Sequence, residues 1–212
     1  LQTLHSMVER SDLKFKPFTQ GRPTGLTSDA DIFDLLKQKD VLLHHPYQSF
    51  TPVIDLIKQA AADSSVLAIK QTLYRTGAIS PIVDALVAAA HAGKEVTVVI
   101  ELRARFDEAA NVALASKLQQ AGAHVVYGIV GYKTHAKMLL ILRRENNKLR
   151  RYLHLGTGNY HRNTSRIYTD YGLLTSDRQI GEDVNNLFIQ LTSLGKIPKM
   201  HKLMHAPFNL HQ

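Results

Sequence analysis

The sequence predicts an α/β fold in which a mixed sheet is flanked by helices. Three features point there. Short aliphatic runs alternate with helical patterns through the middle of the chain, two strands joined by a polar turn follow, and an amphipathic helix comes after them. Taken in order, Leu1 to Gly21 lacks a self-sufficient periodic face and reads as the tail of something upstream. Ser28-Asp29-Ala30-Asp31 is a helix-start signal leading into Ile32, Phe33, Leu35 and Leu36. His44-His45-Pro46-Tyr47 reads as a break before a helix from Phe50 to Ala62, whose Val53, Ile54, Ile57 and Ala61 fall at helical spacing.

Val66 to Ile69 is a short buried strand that ends at Lys70 to Arg75. Ser80-Pro81 opens a helix running through Ala90, and Gly93 stops it. Val96 to Ile100 is a β-branched strand ending at Glu101, Arg103 and Arg105. Asp107 to Gln120 is a helix closed by Ala121-Gly122, and His124 to Tyr127 is the next strand. This succession implies parallel pairing with right-handed crossovers. Ala136 to Leu142 and Arg150 to Leu155 then form an antiparallel hairpin around Arg144-Glu145-Asn146-Asn147. Asp183 to Leu194 is an amphipathic helix ending at Gly195.

The 212 residues are 44% apolar, enough to fill a core, and 21% charged, which argues against disorder. There is no Cys, which excludes disulfides, thiolate metal sites, iron–sulfur clusters and a Cys nucleophile. No apolar run approaches the ~18 residues of a membrane span, and Leu1 to Arg10 has no signal-peptide pattern. A soluble cytoplasmic domain is the expectation. The net charge of +8 points to a polyanionic partner. The surplus is concentrated between Gly131 and Tyr168, where nine basic residues face one acid, Glu145. For Arg143 to Arg151, a solvated hairpin turn explains the charge as well as a binding surface does.

Candidate chemistry centres on Thr134-His135-Ala136-Lys137. On a strand, His135 and Lys137 share a face roughly 7 Å apart while Ala136 turns towards the core. A neutral imidazole is a nucleophile towards phosphorus, and a neighbouring ammonium neutralises phosphoryl charge. Past the hairpin, Gly156-Thr157-Gly158-Asn159 offers a backbone that can approach an anion, with two polar side chains beside it. Arg75 and Arg105 follow two strands whose carboxyl ends would open on one crevice, where α/β sheets gather ligands. Gly128 to Thr134 has P-loop letters in the wrong arrangement, and His201-x-x-x-His205 lacks the Glu of a zinc protease motif.

His-x-Lys followed by Gly-Thr-x-Asn resembles the phospholipase D superfamily, whose His becomes covalently phosphorylated. Where that superfamily has an Asp five residues beyond the Lys, this chain has Leu142. The ordered series His45 to Phe50, Ile69 to Arg75, Glu101 to Glu108, Lys133 to Lys137 and Gly156 to Tyr160 closely resembles bacterial polyphosphate kinases of the ATP-dependent, phosphohistidine type. The likeness runs from about Arg22 to Lys202. It implies a phospholipase D-like mixed sheet flanked by helices over residues 22–202, the end of a head domain over 1–21, and the start of a second such domain over 203–212.

By the same resemblance, His135 is the phosphohistidine nucleophile, assisted by Lys137. Arg75 and Arg105 belong to a magnesium–phosphate site, Tyr168 contacts the nucleotide, and Gly156, Thr157, Gly158 and Asn159 bind phosphate. Guanidinium is a poor metal ligand, so both arginines read physically as clamps on phosphate oxygens that Mg2+ also touches. The implied partners are ATP, ADP, inorganic polyphosphate and the remaining domains of a longer parent chain. A homo-oligomeric parent is implied, with no nucleic acid partner, in the cytoplasm or peripherally at the inner membrane. A second essential His would lie outside this chain, so the fragment alone should turn over ATP poorly. The alternatives are a phosphodiesterase or nuclease of the superfamily, or a polyanion-binding module without chemistry.

Overall fold

The computed structural model describes residues 4, 7–16, 18–74, 76, 80–101, 108–129, 131–193, 199–207 and 210. Its strands are β1 (Val41–His45), β2 (Val66–Leu73), β3 (Glu95–Ile100), β4 (His124–Val126), β5 (Lys137–Glu145), β6 (Lys148–Gly156) and β7 (Asp170–Thr175). They form one sheet in the order β1-β7-β6-β5-β2-β3-β4. The β2, β3 and β4 pairings are parallel, as the alternating pattern predicts, and every other pairing is antiparallel.

The helices are α1 (Ile32–Gln38), α2 (Thr51–Ala62), α3 (Pro81–His91), α4 (Glu108–Gln120) and α5 (Arg178–Ser193). Asp31 caps α1 by accepting from the Asp34 N–H, and Pro81 stands in the first turn of α3. The larger core lies between one face of the sheet and α1 to α4, with Phe33, Leu56, Ile57, Leu86 and Leu118 set against Ile69, Leu139, Ile141 and Tyr152. The smaller core lies on the other face, where Val184 and Phe188 of α5 meet Met138, Leu140 and Leu153. Being covered on both faces explains why β5 reads as a continuous apolar run and not an alternating one. Among the described residues no helix is long and apolar enough to cross a membrane.

Four sequence expectations need correction. His44 and His45 are not a break: they end β1, which pairs with β7, and the turn begins at Pro46. Asp170–Thr175 is a strand that the sequence did not announce. The last helix begins at Arg178 instead of Asp183, because Asp177 accepts from the Ile180 N–H and starts it. Asp183 lies inside this helix, buried, and accepts from the backbone N–H groups of His201, Lys202 and Leu203, which fastens that segment across α5. Ala136 does not face the core, which is the fourth: it is exposed, because β5 starts only at Lys137.

Beneath the β1-β7-β6 end of the sheet lies a buried imidazole. His154 Nδ1 meets the Tyr160 hydroxyl at 2.9 Å, and a Cβ on Gly172 would sit 2.6 Å from His154 Nε2, so that strand position has room only for glycine. Burial, and to a lesser degree neighbouring His45, push the His154 pKa down to about 3. The unfolded chain takes up this proton near pH 6.5 and the folded one does not. Stability is therefore full above that pH and falls as the pH drops towards 3, by of order 5 kcal/mol. Urea unfolding at pH 7 and pH 4 should show this loss, and His154→Gln should lose less between the same two pH values.

Candidate active site

Strand register builds the site at one edge of the sheet. The carboxyl ends of β1, β2, β3 and β6 and the amino ends of β5 and β7 arrive there together. Lys137 pairs with Gly156, Gly156 with Gly172, and His45 with Asp170. His135 stands just ahead of β5 with its ring exposed, so it is not a strand residue sharing a face with Lys137. The two are joined differently. Lys137 is 5% exposed, and its Nζ donates to the His135 carbonyl at 2.6 Å. The Tyr74 ring stands edge-on to His135 with centroids 5.7 Å apart, and Lys137 Nζ lies 5.7 Å from the same ring.

Three groups fix the backbone on either side of the imidazole. The buried Thr72 hydroxyl donates to the Ala136 carbonyl at 2.7 Å and accepts from the Met138 N–H at 2.9 Å. Glu101 Oε2 accepts from the Thr134 N–H at 2.9 Å, and the Asn111 amide donates to the Glu101 carbonyl. His135 is thus an exposed ring on a clamped main chain. Partial burial, then the charges of Lys137 and Lys133, lower its pKa, so the ring is neutral at pH 7 with one nitrogen lone pair available. Burial also lowers the Lys137 pKa, and Asp170 partly offsets that.

Asp170 is the residue that sequence reasoning missed. Its Oδ1 accepts from the Thr157 hydroxyl at 2.8 Å, and a Cβ on Gly158 would come within 2.5 Å of Oδ2. Gly158 therefore makes room for this carboxylate. The Thr157 N–H is spent on the Tyr171 carbonyl and its hydroxyl also accepts from the Tyr171 N–H, so Thr157 ties β6 to β7. A polar strand start with no helix or turn cue nearby gave no signal. Only the register of β7 shows it.

A cavity of about 540 Å³ opens beside His135, walled by Met138, Leu155, Leu187, Leu191 and Leu203. Gly156 lines it, and Asn159 is half-buried at the end of the same loop. Tyr168 is 63% exposed, outside β7, where its N–H donates to the Thr164 carbonyl. Arg75 and Arg105 lie outside the described residues. Leu142 turns to the smaller core, where a carboxylate would be buried. No cluster of three metal-ligating side chains occurs among the described residues.

The family model described as Polyphosphate kinase C-terminal domain 1 matches residues 31–197. The chain belongs to that family. Curated polyphosphate kinases resemble it throughout: that of Neisseria gonorrhoeae is 59% identical over 212 residues, all of this chain and 31% of the relative. That of Pseudomonas aeruginosa is 63% identical over 210 residues, 99% of this chain and 30% of the relative. The chain thus spans about a third of the length of these polyphosphate kinases. The crystal structure of polyphosphate kinase from Porphyromonas gingivalis superposes with a TM-score of 0.78 at 34% identity, over 90% of this chain and 32% of that one. The phospholipase D family member Nuc from Salmonella typhimurium gives 0.56 at 17% identity, over 76% of this chain and 98% of its own, a likeness of fold.

Proposed function

We propose that this chain is the part of a polyphosphate kinase that carries the phosphoryl-accepting histidine. The intact enzyme would transfer the γ-phosphate of ATP reversibly to inorganic polyphosphate in the cytoplasm. The observation that supports this best is the neutral, exposed His135 ring on a backbone clamped by Thr72 and Glu101, beside a buried ammonium. The unprotonated ring nitrogen attacks the γ-phosphorus. The N–P bond forms as the bond to the β,γ-bridging oxygen breaks, and ADP leaves with that electron pair. A terminal polyphosphate oxygen then attacks the same phosphorus, the N–P bond breaks, and His135 returns to its neutral state. Such chemistry asks for positioning and charge neutralisation more than for acid–base work.

Lys137 supplies positive charge next to the ring, and Asp170 raises its pKa against burial while bonding Thr157 of the Gly156 to Asn159 loop. Tyr168 is exposed enough to stack on adenine, and Arg75 and Arg105 would grip phosphate oxygens. The described residues offer no ligand set for a protein-held magnesium, so Mg2+ enters here as the counter-ion of the nucleotide and no step is routed through it. Further domains of the parent chain would complete the site. The test is the intact enzyme supplied with ATP, magnesium and a polyphosphate primer. One ADP per added phosphate and a longer polymer are expected. Hydrolysis of a phosphodiester with no polymer growth would replace this reading with the phosphodiesterase one.

A further inference from the structure

The concentrated basic charge divides in three, and only part of it serves His135. Lys133 and Lys137 are at the site, while Arg162 and Arg166 line a separate shallow pocket near Phe50. The remainder gathers at the β5–β6 hairpin tip, at the opposite end of α5. There Lys148, Arg150, Arg151 and Arg178 line a cavity of about 570 Å³. Asn146 and Asn147 hold the tight turn with φ of 46° and 60°.

Most of the carboxylate near this cavity is already matched. Glu145 is bound by Arg143 at 2.6 Å and by the Tyr152 hydroxyl at 2.6 Å, so its 3.2 Å contact with Arg150 is an additional one. Arg143 in turn is held by Asp63 and stacked over Phe33, which makes it structural. Arg178 pairs with Glu182 at 2.9 Å. Among the described residues Lys148 and Arg151 have no acidic partner, and Arg150 has only the shared Glu145. Arg151 lines the cavity too, and its stem packs against Gly181 of α5, with Nε buried and without an acceptor among the described residues.

We infer that this cavity is a second binding site for the polyphosphate chain, remote from the reacting end; the inference rests on the function proposed above. Arg178 at this cavity and Leu187 to Leu191 at the apolar pocket beside His135 stand on the same helix, which at 1.5 Å per residue separates them by roughly 14–20 Å. A tripolyphosphate is too short to reach both, and a long polyphosphate can. Forked guanidinium groups and an ammonium match successive tetrahedral phosphates. Among the described residues the cavity lining carries no aromatic side chain, and so no stacking platform of the kind single-stranded RNA binding uses. Holding the chain at two points keeps its end near His135 between additions through raised effective concentration.

The test uses the intact enzyme with Lys148→Gln, Arg150→Gln and Arg178→Gln combined. All three side chains are exposed, and Arg151 stays in place because it packs. Affinity for long-chain polyphosphate should fall at least tenfold, its salt dependence should flatten by roughly two in log–log slope, and products should shorten. Tripolyphosphate affinity and phosphorylation of His135 by ATP should stay unchanged, which also reports an intact fold. Arg150→Lys combined with Arg178→Lys, Lys148 being kept, should retain most of the long-chain affinity. Unchanged long-chain affinity, an equal loss for tripolyphosphate, or a loss confined to single-stranded RNA overturns the inference. A wild-type enzyme that never phosphorylates His135 would defeat the proposed function alone, because loss of long-chain binding in the triple variant would still support the cavity.

Discussion

In the intact enzyme, His135→Ala is expected to abolish polyphosphate synthesis, with a fall of roughly three orders of magnitude or more, as for removal of a covalent nucleophile. The fold should survive. The ring is exposed, and its described packing contact is the edge-on meeting with Tyr74, a contribution of about 0.5–1.5 kcal/mol. Thermal unfolding of wild type and variant checks that point. The pH profile of the wild type carries the same prediction further. The neutral ring is the reactive form, and burial with Lys137 and Lys133 depresses its pKa. The phosphorylation rate should therefore rise with pH through a midpoint below 6.5 and be flat at neutrality. Removing the exposed positive charge in Lys133→Gln should move that midpoint upward.

Asp170→Asn should slow His135 phosphorylation by 10–100-fold. The bond from Thr157 to the carboxylate is charge-assisted, and such bonds contribute about 1.5–3 kcal/mol, which corresponds to that range when lost from the correct geometry. The amide can still accept from Thr157, so the loop keeps its shape while its charge is gone. A second signature separates this from general damage. Asp170 raises the Lys137 pKa against the effect of burial, so without it the pKa falls and the alkaline limb of the rate profile moves to lower pH. An unchanged alkaline limb would mean that Asp170 does not act through Lys137.

The parallel β2-α3-β3-α4-β4 half of the fold was legible because each element is long enough, or apolar enough, to show its period. The hairpin was legible because Asn146-Asn147 is a turn signal between two strands. The β1 and β7 strands were not, and the reason is physical. Both carry polar or side-chain-free residues at inward positions: His45 on β1, Gly172 and Thr175 on β7. His45 and Gly172 serve the buried cluster around His154, and Thr175 accepts from the Asp177 N–H, so the apolar pattern of both strands is interrupted.

The site was legible in its letters and not in its geometry. His135, Lys137 and Gly156 line one cavity, but Lys137 reaches the His135 backbone, and Gly158 is glycine because Asp170 occupies the space a Cβ would take. The clamping role of Thr72 depends on β2 and β5 being neighbours, a contact 64 residues apart that local pattern does not report.

The most direct measurement is rapid quenching of the intact enzyme after exposure to γ-labelled ATP and magnesium, followed by peptide mapping. Acid-labile, base-stable label on the peptide containing His135, formed at least as fast as polyphosphate grows, is the predicted result. Polymer growth with no label on His135, or with label on another residue, would contradict covalent transfer through this imidazole.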